Sequence, residues 1–139
     1  ISTRIMKNII DKRLKFNKAF NLPLAEKPTL ISPERTQLQF DMMQEELNEY
    51  YEAKTLTDVA DALIDEFEIL LGKFAEHGMI HKIEELYNEV HVSNMSKLDE
   101  NGKPLINGKD GVFDTTRPIG KVVKSKNFVE PNFTKILNN

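Results

Sequence analysis

Apolar side chains recur every three or four positions over most of the first 97 residues, which is the spacing of one face of an α-helix. Helix starts are marked as well. Ser32 followed by Pro33 is a typical N-cap and first-turn pair, and Thr55 or Thr57 can cap the next segment. These patterns predict four helices over residues 2–21, 32–54, 55–78 and 81–92, the last of which can extend to residue 97.

The composition changes after Leu98, where glycine and turn residues accumulate. The dipeptide Asn-Gly occurs twice in this stretch, which favours tight turns or a small hairpin. We therefore expect a single all-α domain over residues 1–139. Its helical body, about residues 1–97, is an antiparallel helical bundle of about four helices, and an extended C-terminal tail covers about residues 98–139.

The chain of 139 residues contains no cysteine, which excludes disulfides and thiolate metal sites. No apolar run approaches the roughly 20 residues that a membrane-spanning helix needs, and the N-terminal stretch lacks the apolar segment of a signal peptide. We therefore expect a cytoplasmic protein with no membrane partner.

Charge is distributed unevenly, although the net charge is only −3. Residues 36–72 carry ten acidic side chains and one basic side chain, whereas the rest of the chain has a net charge of +6. An acidic middle within a basic frame suits a polyanion that metal ions bridge to the protein. It does not suit a nucleic-acid-binding protein, which would present a basic patch alone, so we expect no nucleic-acid partner.

The acidic side chains form a stripe along each of the two central helices when the residues are placed about 100° apart around the helix axis. On the second helix the stripe consists of Glu45, Glu46, Glu49 and Glu52. On the third helix it consists of Asp58, Asp61, Asp65 and Glu68, with Gly72 on the same face where a close approach is possible.

The apolar side chains of the same two helices predict how the helices pack. On the third helix the expected core face lies opposite the acids and consists of Ala60, Leu63, Phe67, Leu71 and Phe74. The second helix is apolar on both sides of its stripe, so we expect it to be largely buried. A few such helices cannot bury every apolar face within one chain, and we therefore expect an oligomer, a homodimer or a homotetramer.

A solvated surface would explain each carboxylate singly, but solvated helix faces usually mix charges of both signs. Like charges three and four positions apart are unfavourable unless a cation offsets them, and buried carboxylates must be paired or bound to metal. Facing stripes would offer four or more oxygen ligands, which suits Mg²⁺ or Mn²⁺. The histidines, His77, His81 and His91, lie outside both stripes, so the Glu-x-x-His motif of di-iron bundles is absent.

Four segments of the chain match a known pattern in order: ELNE (residues 46–49), VADALIDEFEILLG, EVHVSNMSKLDENGKP and GKVVKSKNFVEPNF. This combination resembles the all-α nucleoside triphosphate pyrophosphohydrolases, the MazG-like and phosphoribosyl-ATP pyrophosphohydrolase-like proteins, over nearly the whole chain. The resemblance implies an enzyme that cleaves a nucleoside triphosphate between its α and β phosphates and releases the monophosphate and pyrophosphate. It also implies Mg²⁺ as the cofactor, with Mn²⁺ as a possible replacement.

The resemblance further implies residue roles. The positions that match metal ligands are Glu46, Glu49, Asp61 and Asp65. The spacing of Asp61 to Asp65 is four rather than the three of the family motif, and Asp58 stands three before Asp61, so Asp58 stays a possible ligand. Glu45 matches the first glutamate of the EExxE pattern and is the candidate catalytic residue that orients or deprotonates water.

Basic and amide groups outside the stripes are expected to bind the phosphates of the substrate. The candidates are Asn94, Lys97, Lys121 and Lys124. The leading interpretation is hydrolysis of a dNTP or a non-standard nucleotide, which is a house-cleaning activity. Two alternatives stay open: hydrolysis of phosphoribosyl-ATP, and a non-catalytic helical module that regulates by binding nucleotides.

Overall fold

The computed structural model describes residues 2–109 and 111–139, apart from the side chains of residues 2 and 3. The chain is mainly helical, as predicted. The helices are α1 (Ser2–Ala19), α2 (Pro33–Glu52), α3 (Leu56–Glu76), α4 (Ile83–Met95), which follows a 3₁₀ turn at Ile80–Lys82, and the short α5 (Thr134–Leu137). Two short strands, β1 (Leu105–Ile106) and β2 (Val122–Val123), lie between α4 and α5. Among the described residues, no helix is both long enough and apolar enough to span a membrane.

The predicted capping residues explain where the two central helices begin. The Ser32 side chain accepts a hydrogen bond from the backbone N–H of Arg35 at 3.2 Å, which confirms Ser32 as the N-cap of α2. Of the two threonines that could cap α3, Thr55 does so by accepting a bond from Asp58 N at 3.1 Å. These bonds satisfy backbone donors that have no partner within the helix.

The chain divides into two compact units, with the boundary between residues 83 and 84. The single-domain organisation over residues 1–139 stays a prediction. The first unit contains α1, α2 and α3, and its core is built where α1 packs on α3 around Ile10, Ala75 and Ile80. Close to this core the Arg13 guanidinium lies over Gly72, where an added Cβ would come within 2.7 Å of Nη2. The close approach expected at Gly72 is therefore made by an arginine of α1.

Helices α2 and α3 make the most extensive helix contact of the first unit, and they run antiparallel. Arg35 and Gln39 near the start of α2 both bond to Glu76 at the end of α3, whereas Glu46 lies beside Asp65 near the middle of both helices. The Glu76 carboxylate is buried and accepts bonds of 2.8 and 2.9 Å from Arg35 and 2.7 Å from Gln39. This arrangement fixes the register in which the two acidic stripes meet.

The expected core face of α3 is wrong in part. Leu71 is buried, but Ala60 is exposed and Leu63 is 51% exposed. The residues of α3 that are buried are Ala62, Leu71, Gly72, Ala75 and Glu76. The reason is that α3 meets α2 through its acidic face, where Asp65 lies beside Glu46 and Glu49. Helix α2 is likewise not largely buried within one chain, because Gln39 is its single buried residue.

The second unit, residues 84–139, brings α4 together with the C-terminal segment. Ser93 donates to the carbonyl of Val129 at 2.7 Å, and Ser96 Oγ accepts a bond from Val129 N at 2.8 Å. The strands β1 and β2 pair antiparallel, with Leu105 opposite Val123. The segment predicted to be an extended tail therefore contains a two-stranded sheet and a short helix, of which the sequence indicated only the possibility of a hairpin.

A single asparagine organises the long connection between the two strands. Asn107 is fully buried, and its side-chain NH₂ donates to the carbonyls of Asp114, Arg117 and Pro118 at 2.8 to 3.2 Å. Its Oδ1 accepts a bond from Asp114 N at 2.8 Å. Because these bonds satisfy four backbone groups at once, the connection folds compactly instead of extending as predicted.

Candidate metal centre

Three carboxylates meet where α2 crosses the middle of α3. Single carboxylate oxygens of Glu46, Glu49 and Asp65 all lie within 4.8 Å of one another. Glu46 and Glu49 face the same way because they stand three positions apart on α2, and the antiparallel packing brings Asp65 opposite them. The two helices thus supply oxygen ligands from both sides of a small acidic centre.

The electrostatics of this centre are unfavourable without a cation. The pKa of Glu46 is raised from 4.5 to about 7, first by burial of the carboxyl group, then by its hydrogen bond and charge interaction with Glu49, and further by Asp65 and Asp61. The pKa of Asp65 is raised as well, first by burial and then by the charges of Asp61, Glu49 and Glu68. Burial and neighbouring like charges both disfavour the ionised form of a carboxyl group.

The carboxylate oxygens of this centre are suitable ligands for a divalent cation. Glu46 Oε2 is buried and has no hydrogen-bond partner, which is unusual for a buried polar atom in a protein. A hard cation such as Mg²⁺ binds carboxylate oxygens, and it would satisfy this atom and offset the repulsion in one step. Glu46, Glu49 and Asp65 are the residues that would hold it.

A groove of about 320 Å³ lies next to this centre and is also acidic. It is lined by Glu49, Glu52, Ala53, Asp58 and Asp61. Glu49 belongs to both the centre and the groove, so the two are continuous. The structure thus places Asp58 and Asp61 in the groove and Asp65 in the three-carboxylate cluster, and Asp61 acts on the cluster through its charge.

Other acidic residues lie around the centre in different ways. Glu45, the candidate catalytic residue, is exposed and does not belong to the cluster of three carboxylates found among the described residues. Glu66 follows Asp65 in the chain and was not singled out by its spacing. Its Oε2 is nevertheless buried and has no hydrogen-bond partner. No sequence signal distinguishes Glu66, because its burial follows from the face that α3 turns towards its neighbours.

In the second unit the predicted phosphate-binding lysines come together. Lys97, Lys121 and Lys124 line one groove of about 330 Å³, and Arg117 lines it with them. Asn94 is exposed on α4 and is not among the residues that line this groove. Arg117 was missed at the sequence level, because its position depends on the connection that Asn107 folds.

The helical fold and the carboxylate centre define an all-α protein with a candidate site for a divalent cation. The sequence model that describes the phosphoribosyl-ATP pyrophosphohydrolase family matches residues 14–94, and the chain belongs to this family. The family is a member of the MazG-like all-α nucleoside triphosphate pyrophosphohydrolase superfamily, which confirms the resemblance seen in the sequence. It is a family of metal-dependent pyrophosphohydrolase enzymes that act on nucleotides. No curated protein matches the chain significantly.

Proposed function

We propose that this protein hydrolyses a nucleoside triphosphate between its α and β phosphates, with Mg²⁺ as the bound ion and Mn²⁺ as a possible replacement. The observation that carries the proposal is the cluster of Glu46, Glu49 and Asp65, with its buried, unpartnered oxygen, in a chain of the pyrophosphohydrolase family. When bound, a divalent cation neutralises phosphate oxygens and acidifies a water molecule.

The side chains of the first unit divide the work of the reaction. Glu46, Glu49 and Asp65 hold the ion, and Asp61 adds negative charge from the adjoining groove. Glu45, which is exposed and outside the cluster, accepts the proton of the attacking water. The water oxygen bonds to the α phosphorus, the bond from that phosphorus to the bridging oxygen breaks, and pyrophosphate leaves. Positioning and charge stabilisation supply most of the catalysis in reactions of this type.

Phosphate recognition is assigned to the cations of the second unit. Lys97, Lys121 and Lys124 converge on one groove, which supports a role in binding a phosphate chain. Asn94 is retained as a further candidate, because it is exposed and can donate hydrogen bonds to phosphate oxygens.

Two alternative substrates are proposed. The leading candidate is a dNTP or a non-standard nucleotide, whose triphosphate a divalent cation at the acidic centre would bind. The second candidate is phosphoribosyl-ATP, which the family match favours and which carries the same triphosphate group. Both are cleaved at the same bond, so the chemistry above applies to either.

Pyrophosphate release tests the function directly. The purified protein is incubated with a panel of NTPs, dNTPs and phosphoribosyl-ATP in Mg²⁺, Mn²⁺ or EDTA. The variants Glu49→Gln and Asp65→Asn are measured in parallel. Asp41→Asn is the matched control, because Asp41 is exposed on α2 and its bond with the Gln37 amide is one that asparagine can also accept.

The proposal requires metal-dependent release of pyrophosphate and monophosphate that both cluster variants lose and the control keeps. Since metal chemistry supplies several kcal/mol of transition-state stabilisation, the expected loss is about a thousandfold or more. Nucleotide binding without release from any substrate would instead identify a non-catalytic regulator.

Oligomerisation to a homodimer or homotetramer is part of the proposal. The exposed apolar side chains on α2 and α3 support it, in particular Tyr51, Leu56 and Leu63. Light scattering on the purified protein gives the molar mass that decides it. The cytoplasmic location stays a prediction.

A further inference from the structure

The groove of the second unit concentrates positive charge. Between Arg117 and Lys126 the chain carries four basic residues and no acid. Arg117, Lys121 and Lys124 line the groove together with Lys97, and one acid, Asp114, accompanies these four cations. All residues that line the groove lie beyond residues 14–94, which the family model matches. The sequence resemblance reaches the segments that contain Lys97, Lys121 and Lys124, but these segments do not include Arg117.

Two of the four groove cations, Lys97 and Lys121, have no ion pair among the described residues, and the Lys124 ammonium group lies 3.4 Å from an exposed carboxylate oxygen of Glu130. Asp114 turns its Oδ1 back onto its own loop, where it accepts bonds from Thr116 N at 2.9 Å and Thr116 Oγ1 at 2.6 Å. Its other oxygen is 4.0 Å from Arg117 Nε, a long ion pair between half-exposed groups that contributes little. Within the described part of the chain, no carboxylate lies within 4.0 Å of the Lys97 or Lys121 ammonium group.

The groove is a built feature of the fold. Asn107 is fully buried and holds the backbone at Asp114, Arg117 and Pro118 through its side chain. Its backbone N–H and carbonyl also pair with Lys121 O at 2.8 Å and Gly120 N at 2.9 Å. One buried residue therefore fixes the backbone on both sides of the groove, so Arg117 and Lys121 are presented by an ordered loop.

We propose that this groove is a binding site for a condensed phosphate chain, a pyrophosphate or triphosphate group, that needs no divalent metal and uses Arg117 as a ligand together with Lys97 and Lys121. Four cations around about 330 Å³ suit a compact polyanion better than an extended one, which would need a stripe of charge. Arg117 adds planar, two-pronged recognition of phosphate oxygens, which lysine cannot supply.

The apolar part of the lining strengthens the site. Val112, Val122 and Val123 line the groove between the charged groups. Apolar walls lower the local dielectric, so each cation attracts a phosphate more strongly than it would on an open polar surface. The choice of a condensed phosphate as ligand rests on the proposed function, because pyrophosphate is its product and a triphosphate its substrate.

Calorimetric titration of the whole 139-residue chain in EDTA tests the proposal. The probes are inorganic pyrophosphate, tripolyphosphate and a nucleoside monophosphate, with a short single-stranded oligonucleotide as the extended polyanion. The variants are Arg117→Gln and Lys121→Gln. Lys109→Gln is the matched control, because Lys109 is an exposed cation of the same loop that does not line the groove. Circular dichroism checks that each variant is folded.

Pyrophosphate and tripolyphosphate are expected to bind in EDTA, and the monophosphate about tenfold more weakly or not at all. Loss of one charge-assisted contact is expected to weaken pyrophosphate about tenfold in each groove variant and to leave the control unchanged. Equal weakening in the control, equal binding by all variants, tighter binding of the oligonucleotide, or no binding without metal would each overturn the proposal.

The same titration separates this site from the proposed catalysis. Glu49→Gln is expected to keep its pyrophosphate affinity in EDTA, because the groove does not include the carboxylate centre. If binding depends on Arg117 but no substrate is ever cleaved, the proposed function fails and the phosphate site stands. If cleavage occurs but no anion binds in EDTA, the phosphate site fails and the proposed function stands.

Discussion

The acidic centre of the first unit and the basic groove of the second unit each gather charges of one sign, but they are built differently. The acids project from two regular helices, and their oxygens approach within 4.8 Å, with one oxygen buried. The cations come from a loop and from the segment after α4, and most of them are exposed around an open groove. Tight packing of oxygens suits a small hard cation, whereas spread cations suit a larger anion.

Each region also depends on one buried polar residue, and these two residues differ in kind. Glu76 is charged and joins α2 to α3 through Arg35 and Gln39, which are 41 and 37 positions away in the chain. Asn107 is neutral, and its side chain bonds to groups 7 to 11 positions away. The acidic centre therefore depends on a long-range ion pair that sets helix register, whereas the basic groove depends on a local network that shapes one loop.

Replacing Glu45 tests most strongly whether proton transfer and metal binding are separate within the acidic region. We expect Glu45→Gln to lower kcat by about a hundredfold or more, because general-base catalysis typically contributes that much. Metal affinity should not change, since Glu45 is exposed and outside the three-carboxylate cluster. Steady-state kinetics and Mn²⁺ titration measure the two quantities, with Asp41→Asn as the control. A parallel fall in metal affinity would make Glu45 a ligand instead of a base.

Breaking the Arg35–Glu76 pair tests whether a long-range ion pair sets the register of α2 and α3. In Arg35→Gln the buried carboxylate of Glu76 loses both of its arginine bonds and keeps only the bond from Gln39. Breaking a buried pair typically costs 3–5 kcal/mol; because the Arg35 side chain is 35% exposed, we expect a loss of about 2 kcal/mol. Urea unfolding followed by circular dichroism measures it.

Arg4→Gln is the matched control for that experiment, because Arg4 is an exposed arginine of the same unit. Pyrophosphate binding in EDTA should survive the Arg35 substitution below the unfolding transition, since Asn107 and not Glu76 organises the groove. A stability loss no larger than that of the control would show that helix register does not depend on this pair.

The helices and the acidic stripes could be predicted because both follow from local spacing. The Ser32 cap is readable from two adjacent residues, and the meeting of Glu46 with Asp65 follows from two stripes on antiparallel helices. The core face of α3 was also predicted from local spacing, and that prediction was wrong at Leu63, which is 51% exposed. Spacing shows that a helix has two faces, but not which of them packs on a neighbour.

The basic groove could not be predicted as a unit. Lys121 and Lys124 were found through the family resemblance, but Arg117 carries no periodic signal and its place depends on four bonds made by Asn107. The Asn-Gly pair at residues 107–108 indicates a turn, and this turn forms, closed by the bond from Lys109 N to Ile106 O at 3.0 Å. The pair does not indicate that the asparagine side chain also fills the interior of a long connection. Side-chain bonds to a non-repeating backbone leave no pattern in the sequence.

The smallest expected effect, the dependence of stability on pH, distinguishes the acidic centre from an ordinary solvated surface. Glu46 has a folded-state pKa of about 7, above its usual 4.5, so the folded protein keeps a proton that the unfolded chain loses between these values. Stability from this group is therefore greatest below about pH 4.5 and is lost as the pH rises through 7. The raised pKa of Asp65 acts in the same direction. The opposite contribution of Glu76, whose pKa is lowered first by its bond from Arg35, is lost only below pH 4.5.

In EDTA we expect the free energy of unfolding to fall by about 1 kcal/mol between pH 5.5 and 8, since one pKa unit corresponds to about 1.4 kcal/mol and solvent screens part of the shift. Urea unfolding at several pH values measures this change. Glu46→Gln should remove most of the dependence, and millimolar Mg²⁺ should stabilise the wild-type protein more at pH 8 than at pH 5.5, because ionised carboxylates bind the metal. Stability that rises with pH in EDTA, or an equal slope in Glu46→Gln, would mean that the three carboxylates are independently solvated. The close approach of their oxygens would then give no preference for a cation, and the difference between the two charged regions would be one of shape alone.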